Sequence, residues 1–140
     1  MPKIHSEKNL RSAGFTLIEI LIALSIIATL TAIAYPAYKS YIDKAMITLG
    51  ISTLETVRRA MEEYNIANGN YPPALDITTG EDGSGKTVLE PSLLAEFIKD
   101  LSSLESYVPA TNNFTLTARA RDRNRTLLVL TSGSVVTPGP

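Results

Sequence analysis

The dominant hydrophobic feature is an apolar run from Phe15 to Ala34, which contains one formal charge, at Glu19. At about 1.5 Å per residue, a helix of this length spans roughly 30 Å, the thickness of the hydrocarbon core of a bilayer. An ionisable group costs about 2.5–3.5 kcal/mol at mid-membrane, so Glu19 is a candidate functional residue. The alternative is a glutamate that reaches from the start of the span to the membrane interface. The pattern predicts a transmembrane helix over residues 15–34.

Charge around this run predicts its orientation. Residues 1–14 carry three basic residues against one acidic residue, which favours a cytoplasmic location for this segment and an outside location for the residues after the run. A secretory signal peptide would have a shorter apolar core and a cleavage site of small residues. Ala32-Ile33-Ala34 imitates such a site, although the core before it is long and carries Glu19. Release of a soluble module at Ala34 therefore stays as an alternative.

Beyond the run, the pattern becomes that of an amphipathic helix that ends at Asn68-Gly69-Asn70, before Tyr71-Pro72-Pro73. Pro36 lies inside this predicted helix and should kink it or loosen it upstream, because proline cannot donate a helix hydrogen bond. The apolar positions mostly recur at steps of three, four or seven. They are Tyr38, Tyr41, Ile42, Ala45, Met46, Leu49, Leu54, Val57, Met61 and Tyr64.

Three tyrosines, Tyr35, Tyr38 and Tyr41, follow the apolar run at helical spacing. Tyrosines at the edge of a membrane span are typical of the aromatic belt at the lipid headgroups. A stacked aromatic path for electrons is the alternative, and six tyrosines in the chain do not establish it.

The remainder of the chain predicts a small head. Residues 91–104 have the apolar spacing of one short helix, with Pro91 in its first turn. Residues 114–120 alternate strictly, and residues 125–131 return after a turn at 122–124, which predicts an antiparallel pair. A third strand is expected near residues 87–89 or 134–136. The predicted fold class is α+β, with a long N-terminal transmembrane-plus-amphipathic helix and a small antiparallel β-sheet head.

The segment ending in Gly14-Phe15-Thr16-Leu17-Ile18-Glu19 resembles the processing motif of type IV prepilins and type II secretion pseudopilins. The resemblance implies that a prepilin peptidase cleaves between Gly14 and Phe15 and N-methylates Phe15, and that Glu19 guides assembly. Gly14 has no Cβ and lets a protease approach the backbone closely. Cleavage would create an amine on Phe15, with which Glu19 of an incoming subunit would form an ion pair in low dielectric.

The implied organisation has four parts: a cleaved basic leader (1–14), a transmembrane and fibre-core helix (15–34), its amphipathic continuation (35–70) and the head (71–140). The implied function is that of a structural subunit of an extracytoplasmic helical fibre, assembled from the bacterial inner membrane with the head in the periplasm. The implied partners are the membrane before assembly, further copies, other pilins or pseudopilins, prepilin peptidase, and an assembly platform with its ATPase. A single-pass anchored binding domain that never polymerises is an alternative.

Two features favour a type II secretion pseudopilus over a type IV pilus. The chain has no cysteine, whereas in many type IV pilins a disulfide cross-links the C-terminal region. The stretch from Leu54 to Pro72 is similar to the helix end of major pseudopilins, with its Asn-Gly-x-Tyr-Pro turn. A type IV pilin acting in adhesion, motility, DNA uptake or electron transfer is the alternative.

Residues Gly80–Thr87 match the phosphate-binding pattern G-x-x-x-x-G-K-[ST]. The match is interpreted as fortuitous, because no buried strand precedes it, Pro91 follows closely, and two acidic residues would face the phosphates. An EF-hand register also fails, since no glutamate stands at its twelfth position. A looser Ca²⁺ site from Asp76, Glu81 and Asp82 remains an alternative to the expectation of no cofactor.

Four arginines, Arg119, Arg121, Arg123 and Arg125, share one parity along the predicted hairpin. On one edge they would bind DNA phosphates or an acidic neighbour, or would simply discourage sheet-to-sheet aggregation. The net charge of −1 provides no general attraction to nucleic acid, so a nucleic-acid partner is not expected. The single histidine, His5, falls in the leader, and no catalytic set remains; the chain is therefore predicted not to be an enzyme.

Overall fold

The computed structural model describes residues 14–137, so most of the predicted leader and the last three residues lie outside the described part. The described elements are α1 (Leu17–Asn68), α2 (Pro91–Asp100), β1 (Leu101–Pro109), β2 (Phe114–Ala120), β3 (Leu127–Thr131) and β4 (Val135–Val136). A long N-terminal helix followed by a small antiparallel sheet confirms the predicted α+β fold. The predicted end of the long helix at Asn68 is also confirmed.

Contacts divide the chain into two compact units, residues 1–38 and residues 39–140. In the first unit, residues 17–38 belong to α1 and every residue from 14 to 38 is exposed. No apolar side chain between residues 14 and 38 is buried. The helix in this unit is therefore stabilised by its backbone hydrogen bonds and by the intrinsic helix propensity of its residues. Its apolar surface is available for contact with lipid or with other proteins.

The second unit contains the hydrophobic core. Its sheet has the order β1-β2-β3-β4 with antiparallel neighbours. The alternation predicted for β2 is confirmed, because Phe114, Leu116, Ala118 and Ala120 are all buried. From α1, Leu54, Val57 and Met61 enter the same core and are fully buried. The predicted apolar face of the amphipathic helix is thus real over residues 54–61, while Tyr41 and Leu49 are exposed.

Gly50 marks a place where α1 lies close to the sheet. A Cβ at this position would stand 2.9 Å from Cδ1 of Leu128 and 3.1 Å from Cδ2 of Leu101. A side chain here would require at least Leu128 to shift, which favours glycine, although glycine inside a helix is less favourable than alanine by roughly 0.5–1 kcal/mol. The close approach lets the strands cover the helix without a gap.

The prediction of one helix over residues 91–104 is wrong in its second half. Helix α2 ends at Asp100, and Leu101 begins strand β1. Two shifts of register, between Leu101 and Ser103 and between Leu104 and Ser106, interrupt the pairing of β1 with β2. These irregularities place Leu101, Leu104 and Tyr107 toward the core at steps of three, which imitates the spacing of a helix.

Of the two places predicted for a third strand, the structure has a strand at the second. Strand β4 pairs Val135 and Val136 with Leu130 and Val129 of β3. At the first place, Thr87 forms only an isolated bridge to Glu81, which itself bridges to Asp76. Residues 76–87 therefore form a compact, turn-rich loop.

Candidate functional site

The start of α1 is organised by three reciprocal hydrogen bonds between Thr16 and Glu19. Glu19 Oε2 accepts from the backbone N–H of Thr16 at 2.8 Å and from its hydroxyl at 2.7 Å. In return, the backbone N–H of Glu19 donates to Oγ1 of Thr16 at 3.3 Å. With helix residues beginning at Leu17, this is a capping box in which Thr16 is the N-cap and Glu19 the third helical residue.

Glu19 is conspicuous in the sequence because of its charge, whereas the role of Thr16 was missed. The signal was present, since Ser or Thr followed three residues later by Glu before an apolar run is the known sequence signature of a helix start. Glu19 therefore has a structural role within the chain, which is to hold two donors at the N-terminus of α1. Only one of its oxygens is used, because Oε1 has no hydrogen bond with any residue between 14 and 137.

Gly14 and Phe15 lie just before this cap and are both exposed, Phe15 by 85%. A Cβ at Gly14 would meet no atom within 4 Å. The fold thus gives no steric reason for glycine at this position. The peptide bond between Gly14 and Phe15 is open to solvent, which is the accessibility that a processing enzyme needs.

The surface that follows the cap is apolar on every side. Among the described residues, α1 is the one helix with the length and composition to cross a membrane. Large apolar side chains between Leu17 and Ile33 are 48–78% exposed. Contiguous apolar surface of this extent on a helix indicates contact with lipid or with other proteins.

The hydroxyl groups within this surface are satisfied by the helix itself. Ser25, Thr29 and Thr31 each donate to the backbone carbonyl four residues earlier, at 2.8 Å in all three cases. Transfer of a hydroxyl group into hydrocarbon is unfavourable when the group has no hydrogen-bond partner. The internal hydrogen bonds of the helix avoid this unfavourable free energy. Apart from the Glu19 carboxylate, the polar side chains of the segment are thus compatible with an apolar environment.

Helix α1 passes through Pro36 without interruption. The local loosening predicted at Pro36 stays a prediction, as does the interfacial role of the tyrosines that flank it. Tyr35, Tyr38 and Tyr41 are 54–71% exposed, so their side chains are accessible from outside the chain.

In the head, Asp82 is the polar centre of the loop over residues 76–87. It is buried, and its Oδ2 accepts from the hydroxyl of Tyr64 at 2.5 Å. Its Oδ1 accepts from the backbone N–H groups of Ser84 and Lys86 at 2.8 and 2.9 Å. The hydrogen bond from Tyr64, followed by those from Lys86 and Ser84, holds the pKa of Asp82 well below its usual range.

These contacts bear on the two ligand interpretations of this loop. Lys86 bonds to the side chain of Asn68 and lies over the ring of Tyr64, so its ammonium faces α1 and not a loop interior. Residues 80–87 are followed by α2 only at Pro91, whereas a phosphate-binding loop opens directly into a helix. No group of three metal-ligating side chains occurs between residues 14 and 137. The Ca²⁺ site from Asp76, Glu81 and Asp82 stays untested.

The predicted arrangement of the four arginines on one edge is wrong. Strand β2 ends at Ala120, and residues 121–126 form a turn. The rule that alternate residues of a strand share one face therefore does not apply beyond residue 120. Arg119 and Arg125 do lie together, since Arg119 donates to the carbonyl of Arg125 at 3.2 Å, but Arg121 and Arg123 contact other elements. Arg119 pairs with Glu105, Arg121 donates to the carbonyl of Ile98, Arg123 pairs with Asp43 at 2.6 Å, and Arg125 approaches the hydroxyl of Ser103.

Comparison with known proteins supports the interpretation of the N-terminal segment. Residues 9–35 match the family model for the prokaryotic N-terminal methylation motif. The chain is 30% identical over 105 residues to the type IV major pilin protein PilE of Neisseria gonorrhoeae, covering 75% of this chain and 59% of that one. It is 37% identical over 71 residues to the type IV major fimbrial protein FimA of Dichelobacter nodosus, covering 51% and 44%.

A third relative is the prepilin peptidase-dependent protein D of Escherichia coli (strain K12), 41% identical over 59 residues, which are 42% of this chain and 40% of that one. The matched segments thus span 40–59% of the length of these three relatives. The methylation motif, the pilin relatives and the long apolar helix with a small antiparallel sheet assign the chain to the type IV pilin-like superfamily.

Proposed function

We propose that this chain is a structural subunit of a helical fibre that is assembled from the bacterial inner membrane. The observation that carries the proposal is the first unit, in which a capped helix exposes apolar side chains on all sides. Such a helix is stable in lipid, and it is equally stable when the same faces contact identical helices. The surface therefore fits both a membrane-anchored state and a packed fibre core.

The proposed processing step removes residues 1–14 and leaves Phe15 as the first residue. Thr16 and Glu19 are both retained, so the cap of α1 survives cleavage. Oε1 of Glu19, which has no hydrogen-bond partner among residues 14–137, is then available to accept from the Phe15 amine of a neighbouring subunit while Oε2 keeps its bonds to Thr16. One carboxylate would thus hold its own helix start and fix the register of the next subunit.

Of the two fibre systems, we favour a type IV pilus, because PilE is named a type IV major pilin protein and FimA a type IV major fimbrial protein. This departs from the preference drawn from the sequence. The second candidate is a type II secretion pseudopilus, which the absence of cysteine and the Asn68-Gly69-Asn70-Tyr71-Pro72 turn favour. In either system the proposed partners are copies of this chain, related subunits, a prepilin peptidase, and a membrane platform with its ATPase.

The first test is the intact mass and N-terminal sequence of the chain recovered from cells with an active prepilin peptidase. We expect a chain that begins at Phe15 and carries one additional methyl group. Substituting Gly14→Val should block cleavage without altering the fold, since the position has open space. Thr16→Ser, which keeps the cap, is the matched control and should be processed normally.

Two other results would count against the proposal. A chain that begins at Tyr35 would indicate an ordinary secreted protein released at Ala34. A chain that keeps its leader in the presence of active peptidase would indicate a membrane-anchored domain that does not polymerise.

A further inference from the structure

A groove of about 420 Å³ lies where the first turns of α1 in the second unit meet α2 and the β2–β3 turn. Met46 and Leu49 supply apolar surface, and Leu49 is 48% exposed. Lys99, Arg121 and Arg125 are exposed cations in its wall. The groove thus combines an apolar patch with three positive charges.

The two carboxylates in the wall accept hydrogen bonds from neutral donors and form no salt bridge with these cations. Asp100 accepts from the hydroxyl of Thr53 at 2.8 Å. Asp122 is buried and accepts from the backbone N–H of Thr126 at 2.7 Å. Within residues 14–137, no salt bridge involves Lys99, Arg121 or Arg125. With three cations and two carboxylates in its wall, the groove has a net charge of +1.

The opposite end of the second unit has an excess of negative charge. A second groove, of about 440 Å³, is lined by Glu63 and Glu90, both exposed and without a salt bridge in the described part of the chain. Its two cations, Arg59 and Lys86, balance these two carboxylates within the groove, so the excess of negative charge at this end comes from the further carboxylates around it. Met46 and Glu63 are 17 residues apart on α1, or roughly 25 Å at helical rise.

The charges of the whole unit follow the same division. Residues 39–49 and 98–126 contain seven cations and four carboxylates, whereas residues 50–97 contain three cations and eight carboxylates. The unit is therefore polarised along α1, with a positive end where α1 enters and a negative end where α1 stops.

We propose that the positive groove of one head docks the negative end of a second copy of this chain, with Lys99 and Glu63 as principal charges. This inference rests on the proposed fibre function, because subunits that insert by the same helix are parallel and meet through unlike surfaces. Parallel copies displaced along the fibre bring opposite ends of successive heads together. Complementary charge then fixes which copies dock and excludes like-charged pairings.

The test exchanges the two charges in the full-length chain, produced in a bacterium that assembles its fibres. Sheared fibre is quantified against total chain. Lys99→Glu and Glu63→Lys should each lower fibre yield about tenfold, because each sets like charges against each other across the interface. The double variant again places opposite charges across the interface, with the two signs exchanged. It should recover yield to within about twofold of the original.

Matched controls separate docking from net charge and from folding. Lys44→Glu and Glu96→Lys make the same charge changes at exposed positions of the same two ends but outside both grooves, so each should change yield by less than about twofold. Near-ultraviolet circular dichroism of each full-length variant in detergent should match that of the original chain.

The outcomes are distinct. Unaltered yield in both single variants, with fibres present, overturns the docking inference alone. A loss in Lys99→Glu that Glu63→Lys does not rescue also overturns it and indicates a different acidic partner, such as an anionic lipid surface. If the unmodified chain forms no fibre in its assembling host, the proposed function fails and this inference fails with it.

Discussion

The hydroxyl of Tyr64 donates to Oδ2 of Asp82 at 2.5 Å, and this bond ties the last turns of α1 to the loop over residues 76–87. The bond also raises the pKa of Tyr64, together with burial and the Asp82 charge, so the phenol stays protonated. Asp82 in turn holds the backbone of Ser84 and Lys86. One buried carboxylate thus organises the loop and anchors it to the helix.

Removal of this hydroxyl should destabilise the head. In Tyr64→Phe, Asp82 loses its strongest neutral donor while remaining buried, and we expect the thermal midpoint to fall by about 5 °C. The measurement is tyrosine near-ultraviolet circular dichroism of the full-length chain in detergent. Tyr41→Phe, at an exposed position, is the control and should leave the midpoint unchanged. An equal effect in the two variants would contradict the assigned role.

Stability of the head should depend on pH through Asp82. Because its folded pKa lies well below the ordinary value of 3.8, the unfolded state binds its proton first as pH falls. The stabilisation is fully present above this ordinary value and is lost as pH decreases below it. Thermal midpoints measured between pH 7 and pH 3 should therefore fall at the acidic end.

Other carboxylates also have lowered pKa values, among them Asp43 beside Arg123 and Glu105 beside Ser103 and Arg119. The comparison that isolates Asp82 is with Asp82→Asn, whose midpoint should be lower at pH 7 and should depend less on acid. The same acid dependence in both proteins would assign the effect to the other groups.

Gly50 should not tolerate a larger side chain. The methyl groups of valine would enter the space of Leu128 and Leu101, both of which are fully or nearly fully buried. Overpacking of this kind costs about 1–3 kcal/mol, and we expect Gly50→Val to lower the free energy of unfolding by that amount. Urea unfolding of the detergent-solubilised chain measures it. Ser52→Val, exposed on the same helix, is the matched control and should change stability little.

The two roles of Glu19 should be separable by substitution. Glu19→Gln keeps an acceptor for the Thr16 donors, because glutamine also serves in a capping box, but it loses the charge. Thr16→Val removes the cap and keeps the charge. We expect Glu19→Gln to abolish fibre formation while hydrogen exchange stays slow at the amides of positions 19 and 20, which donate to Thr16. In Thr16→Val these amides should exchange faster, with fibres reduced to a smaller extent. Fibres formed normally by Glu19→Gln would contradict an ion-pair role.

Calcium should have little effect on the head. The Asp82 oxygens are occupied by Tyr64, Ser84 and Lys86, and Asp76 Oδ1 accepts from the backbone of Thr78. We expect the thermal midpoint to shift by less than about 2 °C between excess EDTA and millimolar CaCl₂, because a bound ion would stabilise by mass action. A larger rise with CaCl₂, abolished in Glu81→Gln, would establish the Ca²⁺ site.

Features whose physics is local could be predicted from the amino-acid pattern. The length of the apolar run at residues 15–34 is enough to predict a helix that can span a membrane. The end of α1 is also predictable, because Asn68 is followed by Gly69, which adopts a positive φ of 77°. The alternation of β2 predicts its buried face directly, since successive strand residues point to opposite sides. The capping box was equally local, and its pattern was available at Thr16 and Glu19.

Features that depend on distant partners were decided by the folded chain. Strand β1 exists because it pairs with β2, and its two irregularities give Leu101, Leu104 and Tyr107 a helix-like spacing that no local rule separates from a true helix. The arginines lost their common face because their partners, Asp43 and Glu105 among them, come from other elements. Hydrogen bonds and ion pairs across long sequence separations form only once the core has brought the elements together, so pattern within one segment does not contain them.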